Sequence, residues 1–299
     1  AFLVHMAAMC VWALRIIVMC KSLGFKVGFR HSLNMVCSGQ LFASITPSQL
    51  GGEPVRVHEL YKAKIPVADA TAVVLIERLM EGFLLVISVI VSLTAFTIIY
   101  QNNEVPAFIL GIAWFGTALC LGLLIFFILM MRKPLVVEKL AMKITGLFTK
   151  KMSLEKTEKL NSSILEGINR FYDTFRMFAG KARWGIIIGF LLTFLLWACE
   201  YSVASIILMG LGYPPHVLES IIFQIIIAII FMIPLTPGSA GIAEAAYFGF
   251  YSIIMPSSVI GLFVLLLRMI LYYSNIIIGS IASFIIVKRE VKEQKQKDV

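Results

Sequence analysis

One segment of this chain occurs twice, and the duplication constrains the fold more than any other feature. FASITPSQLGGEPVR at 42–56 returns in altered form as FMIPLTPGSAGIAE at 231–244. Several matches at one fixed offset, many of them Gly, Pro or Arg, indicate a duplicated structural unit. An ungapped offset of 190 positions superposes Thr46 on Thr236, Pro47 on Pro237, Gly51 on Gly241, Tyr61 on Tyr251, Pro66 on Pro256 and Arg78 on Arg268.

The composition places both copies in a membrane. Sixty per cent of the residues are hydrophobic, only 14% are charged, and the mean hydropathy is +0.92. These values exclude an ordinary soluble domain. Several apolar runs approach the roughly 20 residues that a helix needs to cross the hydrocarbon. We therefore predict an all-α, polytopic transmembrane helical bundle, with residues 1–299 forming a single integral membrane domain.

Each copy has the same layout, which is an apolar run, a Pro/Gly break, a short return, a proline and a long apolar helix with one arginine. The first unit covers residues 31–100 and the second covers 217–287. In membrane proteins, interrupted apolar segments at corresponding positions of two halves mark transport sites near the bilayer midplane. The layout therefore predicts a binding site where the two units meet.

The first break predicts a re-entrant hairpin. Residues 32–47 are apolar but too short to cross, and Pro47 disfavours helical geometry at Thr46. Gly51 and Gly52 suit a chain reversal, since glycine adopts positive φ at little cost. An interfacial loop outside the bilayer is the alternative. The second hairpin is predicted at a corresponding set of break residues, namely Thr236, Pro237, Gly238 and Gly241.

The basic residues predict the orientation. Apart from Arg15, Arg78 and Arg268, every Lys and Arg falls in 21–64, 132–183 or 288–297. All three regions lie on one side only if both hairpins are re-entrant, and the positive-inside tendency makes that side, with the C-terminus, cytoplasmic. The two units are then inverted repeats.

Residues 132–183 are predicted to form a cytoplasmic amphipathic segment at the membrane surface. Arg15, in the first apolar segment, is predicted to snorkel toward the basic end of its helix.

Ionisable side chains within spans are costly and are functional candidates by default. One interpretation is structural, with Arg78 and Arg268 holding the hairpins through ion pairs to Glu53 or Glu244. The other is that an arginine faces a cavity and binds a lipid phosphate, which guanidinium matches bidentately. The candidate lipid-binding residues are Glu53, Arg56, Glu77, Arg78, Glu244 and Arg268, beside which Glu81 and Glu200 also carry charge within apolar segments.

No catalytic set, cofactor motif or metal-ligand spacing stands out. The five cysteines and four histidines are scattered, and GGEP is not a phosphate-binding loop. Glu77, Arg78 and Glu81 offer an acid/base pair without a nucleophile. We therefore expect no metal, no cofactor and no catalytic residue.

The two break segments and the ERLMEGF run resemble the lysylphosphatidylglycerol synthase transmembrane region, a flippase-like family. The resemblance implies that this region of multiple peptide resistance factors moves aminoacylated phosphatidylglycerol between leaflets. It also implies that related regions accompany glycosyltransferases that use polyprenyl phosphates. No aminoacyltransferase domain follows Val287, so we expect no lipid synthesis, and a first helix is expected to be missing. The resemblance extends to Thr46, Pro47, Gly51, Gly52, Glu53, Arg56, Glu77, Arg78, Pro237, Gly238, Gly241 and Glu244.

Together these features predict a lipid translocator of the cell membrane that binds an anionic phospholipid or a polyprenyl-phosphate lipid. Its expected partners are membrane lipids, with a lipid-modifying enzyme or glycosyltransferase as a further candidate and no nucleic acid. The alternatives are a membrane-embedded enzyme that acts on lipid head groups and an accessory subunit that supports a glycosyltransferase.

Overall fold

The chain folds into a helical bundle. This computed structural model describes residues 1–46, 51–99, 107–148, 154–231, 239 and 241–297, which contain helices and no strand. Five helical stretches within these ranges are long and apolar enough to cross a membrane. The all-α, polytopic prediction is confirmed. The helices are α1 Phe2–Ser22, α2 Phe29–Ile45, α3 Gly52–Lys62, α4 Val67–Ile99, α5 Ala107–Met131, α6 Pro134–Phe148, α7 Leu154–Ala179, α8 Arg183–Gly210, α9 Val217–Phe231, α10 Ile242–Tyr251, α11 Ser257–Arg268 and α12 Ser274–Lys297, with a π-helical turn at Met269–Tyr273.

The helix boundaries follow the 190-residue spacing of the sequence. Gly52 and Val67 begin α3 and α4, and the residues 190 positions later, Ile242 and Ser257, begin α10 and α11. By the same spacing α1 corresponds to α8 and α2 to α9. The packing is reciprocal as well, because α4 packs on α9 while α12, which corresponds to the second half of α4, packs on α2. The two units thus exchange equivalent contacts, as twofold-related units do.

The counterpart helices α1 and α8 run antiparallel. His5, near the start of α1, contacts Glu200 in the second half of α8. Ten residues further along α1, Arg15 donates to Thr193, which comes earlier in α8. Since residue numbers rise along one helix while they fall along the other, these two helices point in opposite directions.

Helices α2 and α3 form a hairpin whose two ends lie beside the same part of α12. Arg289 Nη1 is 2.8 Å from His31 Nδ1 near the start of α2. Lys62 Nζ, at the end of α3, is 3.1 Å from Glu290 Oε1. At about 1.5 Å rise per residue, the 17 residues of α2 extend about 25 Å, which is less than the roughly 30 Å hydrocarbon core. The predicted break residues Pro47, Thr236, Pro237 and Gly238 lie outside the described residues.

The glycines of the first break serve close packing rather than a positive φ, so that part of the prediction is wrong. Gly51 has a φ of −70°, and Gly52 is the first residue of α3. A Cβ on Gly51 would lie 2.6 Å from Thr46 Cγ2, and one on Gly52 would lie 2.8 Å from the carbonyl oxygen of Gly39 on α2. Gly241 in the second unit does have a positive φ, +84°.

The long basic connection between the units is tied to the bundle through α7. Arg170 Nη2 lies 2.9 Å from Asp69 Oδ2 on α4, and the Thr174 hydroxyl donates to the other oxygen of Asp69. Phe178, further along α7, is 1% exposed. The second half of α7 therefore packs on α4, while its place at the membrane surface stays a prediction.

Candidate functional site

Six charged side chains from α1, α3 and α4 form a closed ring in which positive and negative charges alternate. Glu53 and Arg56 on α3 are three positions apart, and on α4 Glu81 lies four positions after Glu77 and three after Arg78, spacings that bring side chains to neighbouring positions on a helix face. Each carboxylate bridges two guanidinium groups, and the six charges sum to zero. The closest distances around this charge ring are Arg15–Glu77 2.6 Å, Glu77–Arg56 2.7 Å, Arg56–Glu53 3.5 Å, Glu53–Arg78 2.5 Å, Arg78–Glu81 2.7 Å and Glu81–Arg15 2.5 Å.

The charge ring has a buried side and a more open side. Arg15 and Glu77 are fully buried, whereas the side chain of Arg78 is 34% exposed. On the buried side the Trp12 indole donates a 2.7 Å hydrogen bond to Glu77 Oε1. The guanidinium carbons of Arg15 and Arg56 lie 5.5 and 5.3 Å from the Trp12 ring centroid, within cation–π range. Since buried charges are tolerated only when paired, this arrangement joins the first hairpin to α1 and α4.

Arg15 does not snorkel, and that prediction is wrong. It lies seven residues before the end of α1, a rise of about 10 Å along the helix axis. Two carboxylates are much nearer, Glu77 and Glu81 of α4. Among the charged residues predicted within the first hairpin and α4, three are glutamates and only two are arginines. This excess of negative charge indicates that a further cation is needed, and Arg15 supplies it.

In the described part of the second unit, Arg268 and Glu244 form an ion pair at the place where the first unit has its ring. Arg268 Nε lies 2.9 Å from Glu244 Oε1, so the predicted pairing of this arginine with a hairpin glutamate is present. The other Glu244 oxygen accepts a 2.6 Å hydrogen bond from the Gly241 backbone N–H at the start of α10. The Arg268 guanidinium also lies over the Tyr272 ring, 4.3 Å from its centroid.

The sequence of the second unit explains why its described residues do not form a ring like that of the first unit. At the 190-residue offset Arg56 corresponds to Ala246, and the two ring glutamates of α4 correspond to leucines, Leu267 and Leu271. Arg268 therefore keeps the position of its counterpart in the first unit but has lost most of the surrounding charges. The sequence predicted all six candidate residues as one set, whereas the structure divides them into a four-residue group within the charge ring and the Arg268–Glu244 pair.

A polar cavity of about 180 Å³ lies beside Arg268, between the two units. The first unit contributes residues of α2, the second contributes residues of α9 to α12, and α8, which precedes the second unit, contributes Glu200. We call it the Arg268 cavity. Its polar lining includes Gln40, Ser44, Glu200, Arg268, Tyr272 and Asn275.

A larger groove of about 480 Å³ lies between α3 and α4 and has a different character. Glu53 of the charge ring is at its edge, and most of its other lining is apolar, including Pro54, Val57 and Leu75. Such a lining suits a hydrocarbon chain but offers little to a charged head group. The Arg268 cavity is therefore the better candidate for an anion-binding site, although its volume is the smaller of the two.

His5 was not among the predicted residues, yet it joins α1 to this cavity. Its ring lies between Glu200 Oε1, 2.9 Å from Nδ1, and Asn275 Oδ1, 3.0 Å from Nε2. Metal-ligand spacing among the histidines of the sequence gives no information about a partner 195 positions away. The available signal was Glu200 itself, since a carboxylate inside an apolar segment requires a polar partner.

One further cluster, at the ends of α3 and α12, has donor atoms within 4.8 Å of one another in His58, Glu59 and Glu290. Its negative charges already have cationic partners. Lys62 Nζ is 3.1 Å from Glu290 Oε1, and Arg289 Nη2 is 2.8 Å from Glu59 Oε2. We interpret the cluster as a salt-bridge network that joins the two helices.

Comparison with known proteins identifies a transmembrane family and membrane-protein relatives, in agreement with a fold made of membrane-spanning helices. Residues 1–279 match the lysylphosphatidylglycerol synthase transmembrane region. A UPF0104 membrane protein of Archaeoglobus fulgidus is 33% identical over 293 residues, which cover 94% of this chain and 84% of the relative. A second UPF0104 membrane protein, of Methanocaldococcus jannaschii, is 25% identical over 302 residues, which cover 99% and 86%. No solved structure gives a significant match.

Proposed function

Because this chain belongs to the lysylphosphatidylglycerol synthase transmembrane region family, we propose that it is a flippase-like lipid translocator of the cell membrane. Its substrate is an anionic phospholipid or a polyprenyl-phosphate lipid, whose phosphate binds Arg268. The observation that carries the proposal is the polar cavity in which Arg268 of one unit meets Gln40 and Ser44 of the other.

The antiparallel packing of α1 and α8 supports an inverted repeat. Counterpart helices that run in opposite directions are expected when the repeat axis lies in the membrane plane. With the basic segments in the cytoplasm, the α2–α3 hairpin enters from the cytoplasmic leaflet and the α9–α10 hairpin from the outer one. The Arg268 cavity then lies between elements that reach it from opposite sides, as alternating access requires.

The size and chemistry of the cavity suit a phosphate head group. Its volume of about 180 Å³ corresponds to about six water molecules at roughly 30 Å³ each. That is room for a phosphate and some water, while the lipid tails stay in the hydrocarbon. The Glu244 carboxylate is 43% exposed. We assign it as the group that an incoming phosphate replaces on the guanidinium, which binds phosphate bidentately.

The charge ring has a different role in this proposal. Its three guanidinium groups are all paired with carboxylates, and two of them, Arg15 and Arg56, are almost completely buried. We assign these two residues and Glu77 to anchoring the first hairpin. Arg78 and Glu53, on the open side beside the apolar groove, are the members of the ring that can contact lipid.

Proteoliposomes with head-group-labelled phosphatidylglycerol and with a labelled polyprenyl phosphate test the proposal. Purified protein should accelerate exchange of at least one of these probes between leaflets. Arg268→Gln should remove the acceleration, and Arg268→Lys should keep part of it, because lysine retains the charge but not the bidentate geometry. Arg170→Gln is the matched control, since Arg170 is half exposed and pairs with Asp69 on α4, away from the cavity lining.

Equal exchange in protein-free vesicles, or an unchanged rate with Arg268→Gln, would contradict the proposal. Mass spectrometry of the same lipids distinguishes the alternatives. A new lipid product would favour a membrane-embedded enzyme. A stable glycosyltransferase partner together with no exchange would favour an accessory subunit.

A further inference from the structure

A buried histidine connects α1 with the wall of the Arg268 cavity. His5 is 1% exposed, and its two ring nitrogens face oxygen atoms on different helices. Nδ1 lies 2.9 Å from Glu200 Oε1, and Nε2 lies 3.0 Å from Asn275 Oδ1. Both partners line the cavity, so the protonation state of His5 directly changes the net charge at the cavity.

The Asn275 amide determines which histidine nitrogen carries a hydrogen. Asn275 Nδ2 donates a 2.7 Å hydrogen bond to the backbone carbonyl of Leu271. This leaves Oδ1 as the atom that faces His5, because the reversed amide would place two acceptors together. An amide oxygen only accepts, and His5 Nε2 is therefore the donor.

The contact between His5 Nδ1 and Glu200 then requires a second hydrogen. A neutral imidazole with its hydrogen on Nε2 has a lone pair on Nδ1, which would face a carboxylate oxygen with nothing between them. The 2.9 Å contact is favourable only if a proton lies between the two atoms. An imidazolium beside a carboxylate and a neutral imidazole beside a carboxylic acid hold the same extra proton.

We infer that His5 and Glu200 form a proton-binding site, and that an anionic lipid head group binds the Arg268 cavity only while this proton is present. The inference rests on the proposed function. With the proton bound, the charges of Arg268, Glu244 and the His5–Glu200 pair sum to zero. Without it they sum to −1, which repels a phosphate in a medium of low dielectric constant.

The surrounding helices offer no other compensating cation at the cavity among the described lining residues. From α2 come the uncharged Gln40 and Ser44, and from α12 comes Asn275. Of the α4 carboxylates, Glu77 and Glu81 are held within the charge ring, and Asp69 pairs with Arg170. The remaining charged or titratable groups near the pair are Arg268, Glu244, Tyr201, Tyr247, Tyr272 and Cys199.

Linkage fixes the sign of the pH dependence. If the proton strengthens anion binding, the anion strengthens proton binding by the same factor. One linked proton changes the affinity by up to about tenfold per pH unit. Head-group affinity is thus highest at pH values at which the pair holds its proton, and it falls as the pH rises through the pKa of the pair.

The test measures binding of a labelled short-chain phosphatidylglycerol to the purified full chain in detergent, across the pH range in which His and Glu titrate. For the wild type, the affinity should fall by about tenfold per pH unit on the basic side. Glu200→Gln provides a permanently neutral side chain, so it should bind at all pH values about as tightly as the wild type does at low pH. His216→Gln is the control and should keep the wild-type slope, because His216 pairs at 3.7 Å with Glu219 and does not line the cavity.

A second measurement needs no variant. Calorimetric titrations of the wild type in buffers of different ionisation enthalpy count the protons taken up on binding, and above the pKa of the pair we expect about one per lipid. Binding without proton uptake, or an unchanged slope with Glu200→Gln, would overturn the coupling alone. An absence of binding at every pH would overturn the proposed function and the coupling with it.

Discussion

Neutralising Glu77 tests whether the charge ring holds the first unit together. Glu77 is fully buried and accepts hydrogen bonds from Trp12, Arg15 and Arg56. Glu77→Gln conserves the volume but removes the negative charge between two buried guanidinium groups. Breaking one buried ion pair costs about 3–5 kcal/mol. Because two arginines lose their shared partner, we expect a loss near the upper end of that range.

The assay is the free energy of unfolding of the purified protein in detergent, measured by denaturant titration. Glu219→Gln is the matched control, since this glutamate is 33% exposed and lies 3.7 Å from His216. Exposed pairs contribute about 0–1 kcal/mol, so the control should remain close to the wild type. A Glu77→Gln protein as stable as the control would refute the structural role of the ring.

A second substitution separates charge balance from the loss of individual contacts. Adding Arg15→Gln to Glu77→Gln leaves two arginines and two glutamates in the ring, so its charge is again zero. We therefore expect the double variant to lose less stability than the sum of the single losses, by an interaction energy of about 0.5–3 kcal/mol. Strict additivity would show that the two residues act independently.

Two further predictions concern packing. Gly52→Ala should destabilise the protein by about 1–3 kcal/mol, because the added Cβ would lie 2.8 Å from the Gly39 carbonyl oxygen. The control in the same unfolding assay is Gly261→Ala, which should be neutral or stabilising, since no neighbouring atom lies within 4 Å of that Cβ position. Asp69→Asn should release α7 from α4 and speed limited proteolysis of α7, whereas the surface substitution Asp173→Asn, at a side chain 70% exposed, should leave the cleavage rate unchanged. A Gly52→Ala protein of wild-type stability, or an unchanged cleavage rate with Asp69→Asn, would contradict these expectations.

The sequence predicted the positions of the helices more accurately than the structural roles of individual residues. Helix α10 begins 190 positions after α3, as the offset between the break segments requires. The same offset paired Gly51 with Gly241, although only Gly241 has a positive φ, while Gly51 is needed for its close approach to Thr46. A repeated glycine therefore indicated a constraint on the backbone but did not distinguish between these two causes.

By itself the sequence determined that this chain is helical, enters a membrane and carries charges inside it, because helix length, hydropathy and the presence of an ionisable side chain are local properties. Only the tertiary structure decided which charges meet. Arg15 and Glu77 are 62 positions apart, and His5 and Asn275 are 270 apart. Partners at such separations are brought together by the packing of whole helices, and that packing depends on the fit of many side chains at once.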